Sequence, residues 1–542
     1  MEPDCEFSVD PSSGNKRKAP RMSSHSRPGP STFDQIADWP GQLRDDLTRG
    51  MPESFLGALT SKFDKMIVLT THYSGMGCAE LALLMLEAEF RRRPEGHETE
   101  SNVILYSACE QDATTRQMLL GPGHRDSRLE PQHVFGDIIS RVPVDILGHL
   151  KEVELQHLEQ AAGIAANPSL SREEKEEHKN DLGERLLNSF LSVLSRCKFV
   201  AKDWCYKHNA MCPLLPAKNG AHIEQLNMEK LLAAHASPDW FIHECVQSFD
   251  AQMLVQTVSQ YLTASFVFSP TLFGLPSNRT RRFTFGINAA RCSWQQDLLD
   301  EGFADDPSTM TTGAAQTLFS TVFGRDIVVG CEVYLVASDK AVATWARGAV
   351  SDKGLGHLCD SDVDMKLCLS GAQFQRMVAY KDLLREKKVE CGSFTSFVVN
   401  LEQTAGFQPC VSHIVPALLT QSTLCVLRAQ SPAGATGSTV PSARMRLVLP
   451  IEHFAILSFP MPEAFRGAVR SSVPESAARK WTDAFPWDVA WLRREMGDKV
   501  MRRLTGNGMN LHALGSVMAI LLAGCQPSSR ESTTSSSGSG SE

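Results

Sequence analysis

The apolar run Met66-Ile67-Val68-Leu69 is too short for a helix and rich in β-branched residues, which is the pattern of a buried strand. A turn carrying Gly75 and Gly77 follows, and Glu80 to Leu86 then sets Ala and Leu on the apolar positions of a helix. Strand, glycine turn and helix make the opening of a nucleotide-binding α/β unit. The glycines let the backbone come close to a ligand, and the helix N–H groups offer hydrogen bonds to a polar or acidic group. Upstream, the pattern predicts a helix from about Pro52 to Asp64. Downstream, it predicts a second strand at Val103-Ile104-Leu105-Tyr106 that ends in Ala108-Cys109-Glu110-Gln111-Asp112. In such folds an acid at the end of the second strand accepts hydrogen bonds from ribose hydroxyls, and Glu110 holds that place.

The rest of the pattern is more varied. Residues from about Leu147 to Ser195 read as a charged helical excursion with no chemistry of its own. Pro238 to Val246 is an apolar strand ending in Glu244. From about Ala290 to Pro441 the chain changes to Gly- and Ser-rich turns with β-rich runs such as Asp326 to Ala337. A last helix is predicted over Leu511 to Leu522, and the Ser-, Pro- and Gly-rich ends, 1–32 and 526–542, are expected to be disordered.

Composition narrows the partners and the compartment. A chain of 542 residues with 42% hydrophobic residues has room for two or more domains. Its formal charge of -8 excludes a general polyanion binder, so any nucleic-acid contact needs a local basic surface. Fifteen cysteines, scattered and never spaced Cys-x-x-Cys, fit a reducing intracellular compartment. No signal peptide is read, and the apolar stretch Ala513 to Cys525 is too short to span a bilayer, so no membrane is expected. Cytoplasm or nucleus remains, and Lys16-Arg17-Lys18-Ala19-Pro20-Arg21 has the composition of a nuclear localisation signal. The stretch Cys205 to Pro213 carries ligand types that suit zinc, but its spacing matches no standard pattern and no metal is expected.

Tyr73-Ser74-Gly75-Met76-Gly77-Cys78-Ala79-Glu80-Leu81-Ala82-Leu83 resembles the first motif of DNA (cytosine-5) methyltransferases, with Thr71 in place of the usual Asp and Cys78 in place of the last Gly. Val134-Phe135-Gly136-Asp137-Ile138 is similar to the third motif, and Phe241-Ile242-His243-Glu244-Cys245-Val246 to the family's Glu-Asn-Val motif. Gly274-Leu275-Pro276-Ser277-Asn278-Arg279-Thr280-Arg281 is similar to its Gly-Val-Pro-Gln-x-Arg-x-Arg segment. Leu447 to Pro460 resembles the ninth motif, and Leu504-Thr505-Gly506-Asn507-Gly508 the closing Gly-Asn motif.

The resemblance implies an α/β fold: a class I methyltransferase core, Rossmann-like, over 52–290 with the helical insertion 147–195, a smaller inserted target-recognition domain over 291–441, and a return to the core over 442–523. It implies S-adenosyl-L-methionine as cofactor, held by Tyr73, Ser74, Gly75, Gly77, Glu110, Asp137 and Asn507. The implied substrate is cytosine in DNA, with RNA as the alternative and a catalytically inactive cofactor- or DNA-binding protein of the same fold as another. Glu244, Arg279 and Arg281 would act on the flipped base and its phosphate. The family's nucleophile is the thiolate of a Pro-Cys dipeptide, which attacks C6 of the base because C5 is not nucleophilic until that bond forms. No such dipeptide stands between the third motif and Glu244. The nearest thiol is Cys212, which comes before its proline.

Overall fold

The computed structural model describes residues 27–72, 75–91, 101–120, 127–136, parts of 152–185, 202–205, 210–213, 238–257, 260–295, 312–355, 365–386, 396–406, 412–428, 445–461 and 485–528. The predicted first strand is β1, Ile67–His72. It pairs in parallel with β2, Val103–Cys109, which pairs in parallel with β3, His133–Phe135, in the order β1-β2-β3. Parallel neighbours need a crossover. Three short helices precede the sheet: α1, Phe33–Ala37, α2, Trp39–Gly50, and α3, Glu53–Phe63. The crossover itself is α4, Cys78–Phe90, built almost wholly of strong helix formers and buried on nearly every side. A helix without a polar face has to be enclosed. The sheet covers one side of α4, and the last helix, Leu511–Gly524, covers another together with α2 and α3.

Two further strands, β4, Lys202–Cys205, and β5, Ala210–Pro213, form an antiparallel hairpin. The second main sheet contains β6, Trp240–Val246, β7, Tyr261–Phe268, and β8, Arg281–Asn288. Strand β8 lies in the middle and runs antiparallel to both neighbours, so β6 and β7 run the same way. Its inner face is aromatic. Phe266 meets Phe285 edge-on at 5.8 Å, and Phe268 meets Phe273 edge-on at 5.7 Å. The helix Thr312–Phe323 closes this face through Phe319, 4.2 Å from Phe266. Residues of both sheets belong to one continuous core. The architecture is therefore α/β, with a parallel, Rossmann-like sheet of β1, β2 and β3 and helix α4 packed against it.

The stretch after β9, Cys292–Trp294, departs from expectation. In place of a strand, Asp326 to Ala337 holds single bridges and the 3-10 turn Cys331–Tyr334. Its backbone groups go to scattered partners: Asp326 N donates to Arg27 O at 2.8 Å and Cys331 N to His413 O at 2.8 Å. No two successive residues meet the same neighbour, so no ladder forms. The serines that signalled turns cap helices instead. Ser338 Oγ accepts from Ala341 N at 3.2 Å ahead of the helix Asp339–Ser351, and Ser370 and Gln373 exchange bonds ahead of the helix Gly371–Glu386.

That last helix packs on an antiparallel sheet of β10, Ser396–Asn400, β11, Leu424–Arg428, and β12, Arg446–Leu447, around a small core of its own with Met377, Tyr380, Val399 and Leu427. The stretch resembling the ninth motif pins the neighbouring chain. Buried Glu452 pairs with Arg446 at 2.8 Å and accepts from Ala337 N at 2.8 Å and Leu449 N at 2.9 Å. The chain end returns as β13, Cys525–Pro527, antiparallel to β9. Among the described residues no helix is long and apolar enough to cross a membrane.

All fourteen residues of the helix Leu511–Gly524 are buried. Gly515 is where this helix crosses α2, and a Cβ there would lie 2.2 Å from the Trp39 ring. Alanine normally strengthens a helix interior by ~1 kcal/mol over glycine. Here Gly515→Ala is expected to destabilise by about 1–3 kcal/mol through overpacking, seen in urea titration as a lower midpoint at unchanged slope.

Candidate functional site

A cleft of about 620 Å³ opens where the carboxyl ends of β1, β2 and β6 meet the turn after the helix Gly497–Asn507. Strand ends are where α/β sheets bind ligands, because there the backbone turns away and leaves a crevice. Its first half is built on β1 and β2. The β1–α4 turn requires left-handed backbone at Gly75 (φ 54°) and Gly77 (φ 77°), the latter capping α4. Gly75 N donates to Glu110 Oε2 at 3.0 Å, and Asp112 N to Glu110 Oε1 at 2.9 Å. Glu110 thus stands at the end of β2 facing the glycine turn, as the sequence predicts. Burial holds its carboxyl above the usual range. Asp112 caps the short helix α5, Ala113–Leu119, and pairs with Arg503 at 2.7 Å, which joins this wall to the helix Gly497–Asn507. Asn507, Gly506 and Gly508 line the opposite rim.

The second half is built on β6 and β8. Arg281 lies opposite Val246, two residues along the ladder from Glu244 and so on the same face, and its Nε reaches Glu244 Oε1 at 3.0 Å. Glu244 is buried. Desolvation raises its carboxyl above the ordinary range, opposed by the Arg279 and Arg281 guanidinium groups. A carboxyl that keeps its proton more readily than usual suits donation to a base ring nitrogen.

Arg279 lines the same cleft but is already engaged. Its guanidinium donates to Leu418 O at 3.1 Å and, through both terminal nitrogens, to Gly506 O at 3.1 Å. Desolvation lowers it to about 10. The two arginines, expected to act together on a ligand, therefore divide: Arg279 ties the cleft walls together and Arg281 faces Glu244.

Sulfur also lines the cleft. Cys78, at the expected last glycine of the turn, accepts from Met509 N at 3.3 Å, and burial pushes its thiol up to about 12. Cys245 follows Glu244 on β6. Tyr73, Ser74 and Asp137 lie outside the described residues. Cys212 lies on β5, its side chain outside the described part. One Pro-Cys dipeptide does occur, Pro409-Cys410, in a place that the expected motif order passes over, and it too lies outside the described residues. Sequence pattern does not single out Arg503, Asp112 or the buried pair of Thr71 and Glu80, in which Thr71 Oγ1 donates to Glu80 Oε1. The Thr71 and Glu80 spacing, strand end to first helical turn, was the available signal.

No protein-family model and no curated protein matches the chain. Among solved structures it is similar to the Dnmt2 methyltransferase of S. pombe, at 13% identity and a TM-score of 0.33 over 84% of this chain and 98% of that one. It is also similar to a triple-substituted Dnmt2 of Spodoptera frugiperda, at 11% identity and 0.34 over 84% and 99%, and to the Entamoeba histolytica methyltransferase EhMeth, at 10% identity and 0.30 over 84% and 98%.

The two arginines should separate by pH. Replacing Arg281 with Gln removes a charge that matters only while Glu244 is ionised. A carboxyl raised in the folded state makes stability fall as pH rises from the unfolded value through the folded one. Arg281→Gln raises it further, so the variant is expected to match the parent near pH 4 and to become progressively less stable towards pH 8. Arg279→Gln strips donors from two buried carbonyls and is expected to lose on the order of 2 kcal/mol at both ends. Urea unfolding at pH 4 and pH 8 distinguishes these outcomes.

Proposed function

We propose that the protein is an S-adenosyl-L-methionine-dependent methyltransferase acting on cytosine in nucleic acid, with DNA as the substrate and C5 as the acceptor atom. The observation that carries this reading is the composition of one cleft. A glycine turn facing Glu110 forms one wall, and a buried Glu244 paired to Arg281 forms the other. The residues fit the cofactor: the left-handed turn leaves backbone free to approach a ligand, and Glu110 can exchange its bonds with Gly75 N and Asp112 N for ribose hydroxyls. Gly75, Gly77, Glu110 and Asn507 would hold it. When bound it supplies an electrophilic methyl group.

On the other wall, the Glu244 carboxyl, whose affinity for a proton burial raises, stands where a base ring would enter, and Arg281 keeps it oriented. Duplex DNA requires the base to leave the stack, and a single-stranded or looped RNA base meets the same cleft at lower cost. The basic run Lys16 to Arg21 supports a nuclear site of action.

A second reading, cofactor binding without transfer, is favoured by one observation. Among the described residues the thiols lining the cleft are Cys78 and Cys245, neither of which follows a proline, and Cys78 is bonded and too basic to serve as a thiolate.

The test is tritiated methyl transfer to mixed-sequence DNA and to total RNA, with cofactor binding measured by calorimetry on the same protein. Incorporation into cytosine that falls by roughly 100-fold or more in Glu244→Ala, within the usual range for losing a general acid, supports the transferase. Binding with no incorporation into either polymer would establish the silent reading.

A further inference from the structure

Burying a carboxylate obliges the chain to bring it a cation or to leave its charge uncompensated. Among the described residues the chain brings one to most of its buried acids. Buried Asp46 has Arg325 at 2.6 Å, Glu87 has Arg91 at 3.3 Å, Glu244 has Arg281 at 3.0 Å, and Glu452 has Arg446 at 2.8 Å. Glu80 is different. It is 2% exposed, sits in the first turn of α4 and lines the cleft beside Gly75. Among the described residues no arginine, lysine or histidine reaches it. Thr71 Oγ1 fixes Oε1, while Oε2 is buried without a hydrogen-bond partner.

We propose that Glu80 is the receptor for a primary ammonium group of the ligand held in this cleft, with Thr71 positioning the carboxylate to receive it. The inference rests on the cofactor reading above and deepens it, since the amino-acid end of such a cofactor carries one ammonium group. Desolvation raises the carboxyl to about 6, so near neutral pH it is largely ionised, and among the described residues no cation matches its charge. An incoming ammonium supplies three donors and the missing charge at once. The setting favours a zwitterion, because the start of a thirteen-residue helix carries the positive end of its dipole and can take the ligand's carboxylate beside it.

Glu80 also borders a narrow apolar void of about 10 Å³ next to Leu119 and Trp487, room for about one water molecule, so water on Oε2 is the competing account. Calorimetric titration separates the two. The ligands are S-adenosylhomocysteine and its analogue with the α-amino group replaced by hydrogen, each titrated into the parent protein and into Glu80→Gln. The Gln variant keeps the size and the acceptor for Thr71.

The parent is expected to prefer the amino compound by roughly 10- to 100-fold, the range for a hydrogen bond to a charged group. Glu80→Gln is expected to lose that preference while binding the deaminated analogue as the parent does, which also shows that the variant is folded. Equal binding of both compounds by the parent would overturn the proposal and leave the cofactor reading standing. So would a preference that survives in the variant. Binding of neither compound by the parent would remove the cofactor reading and this proposal together.

Discussion

Three segments far apart in sequence depend on one buried guanidinium. Arg279 enters from the loop before β8, reaches Leu418 O in the chain that leads to β11, and holds Gly506 O at the end of the helix before the closing turn. A buried arginine with five donors and no acceptor is costly unless most of them are satisfied, so the site selects a single arrangement of its neighbours. Gly506 can approach this closely only without a side chain, since a Cβ there would lie 2.4 Å from Thr420 N. The turn Asn507-Gly508-Met509 is carried over the cleft as a result. Gly508 then fits against Met76, and Met509 N against Cys78 on the first wall. The far end of the chain thereby finishes a pocket that begins at β1.

Much of this was legible because it is local. The run Ile67 to Leu69 had to be a strand, Gly75 and Gly77 had to turn, and the Ala- and Leu-rich stretch after them had to be a buried helix. Each extends further than its pattern indicated: β1 to His72 and α4 to Phe90. The places of Glu110 and Glu244 in the cleft were readable too, since each is an acid at the end of an apolar strand. The roles of the two arginines were not. Residues 279 and 281 have the spacing of side chains on one face, yet Arg279 precedes β8 and turns towards carbonyls brought there by tertiary structure alone. Nothing in the neighbourhood of Asp326 to Ala337 announces that its backbone partners are Arg27 and His413. Its β-branched residues have the pattern of a strand, and no strand forms there.

The cleft's two walls differ in how their charges are settled. On the β6–β8 wall, Glu244 is paired with Arg281 and also feels the Arg279 guanidinium, so its carboxylate is fully matched in charge. On the β1–β2 wall, Asp112 has Arg503 and Glu110 has backbone donors, but among the described residues Glu80 has the Thr71 hydroxyl and its own backbone N–H and no cation. Thr71 stands on the strand and the acid on the helix facing it, so the two positions share one hydrogen-bonded unit. A threonine there is buried without loss because its hydroxyl has an acceptor, and the carboxylate keeps a fixed oxygen without being neutralised. The wall left open in charge is the wall that the glycine turn leaves open in space, and a cationic group is the guest that closes both.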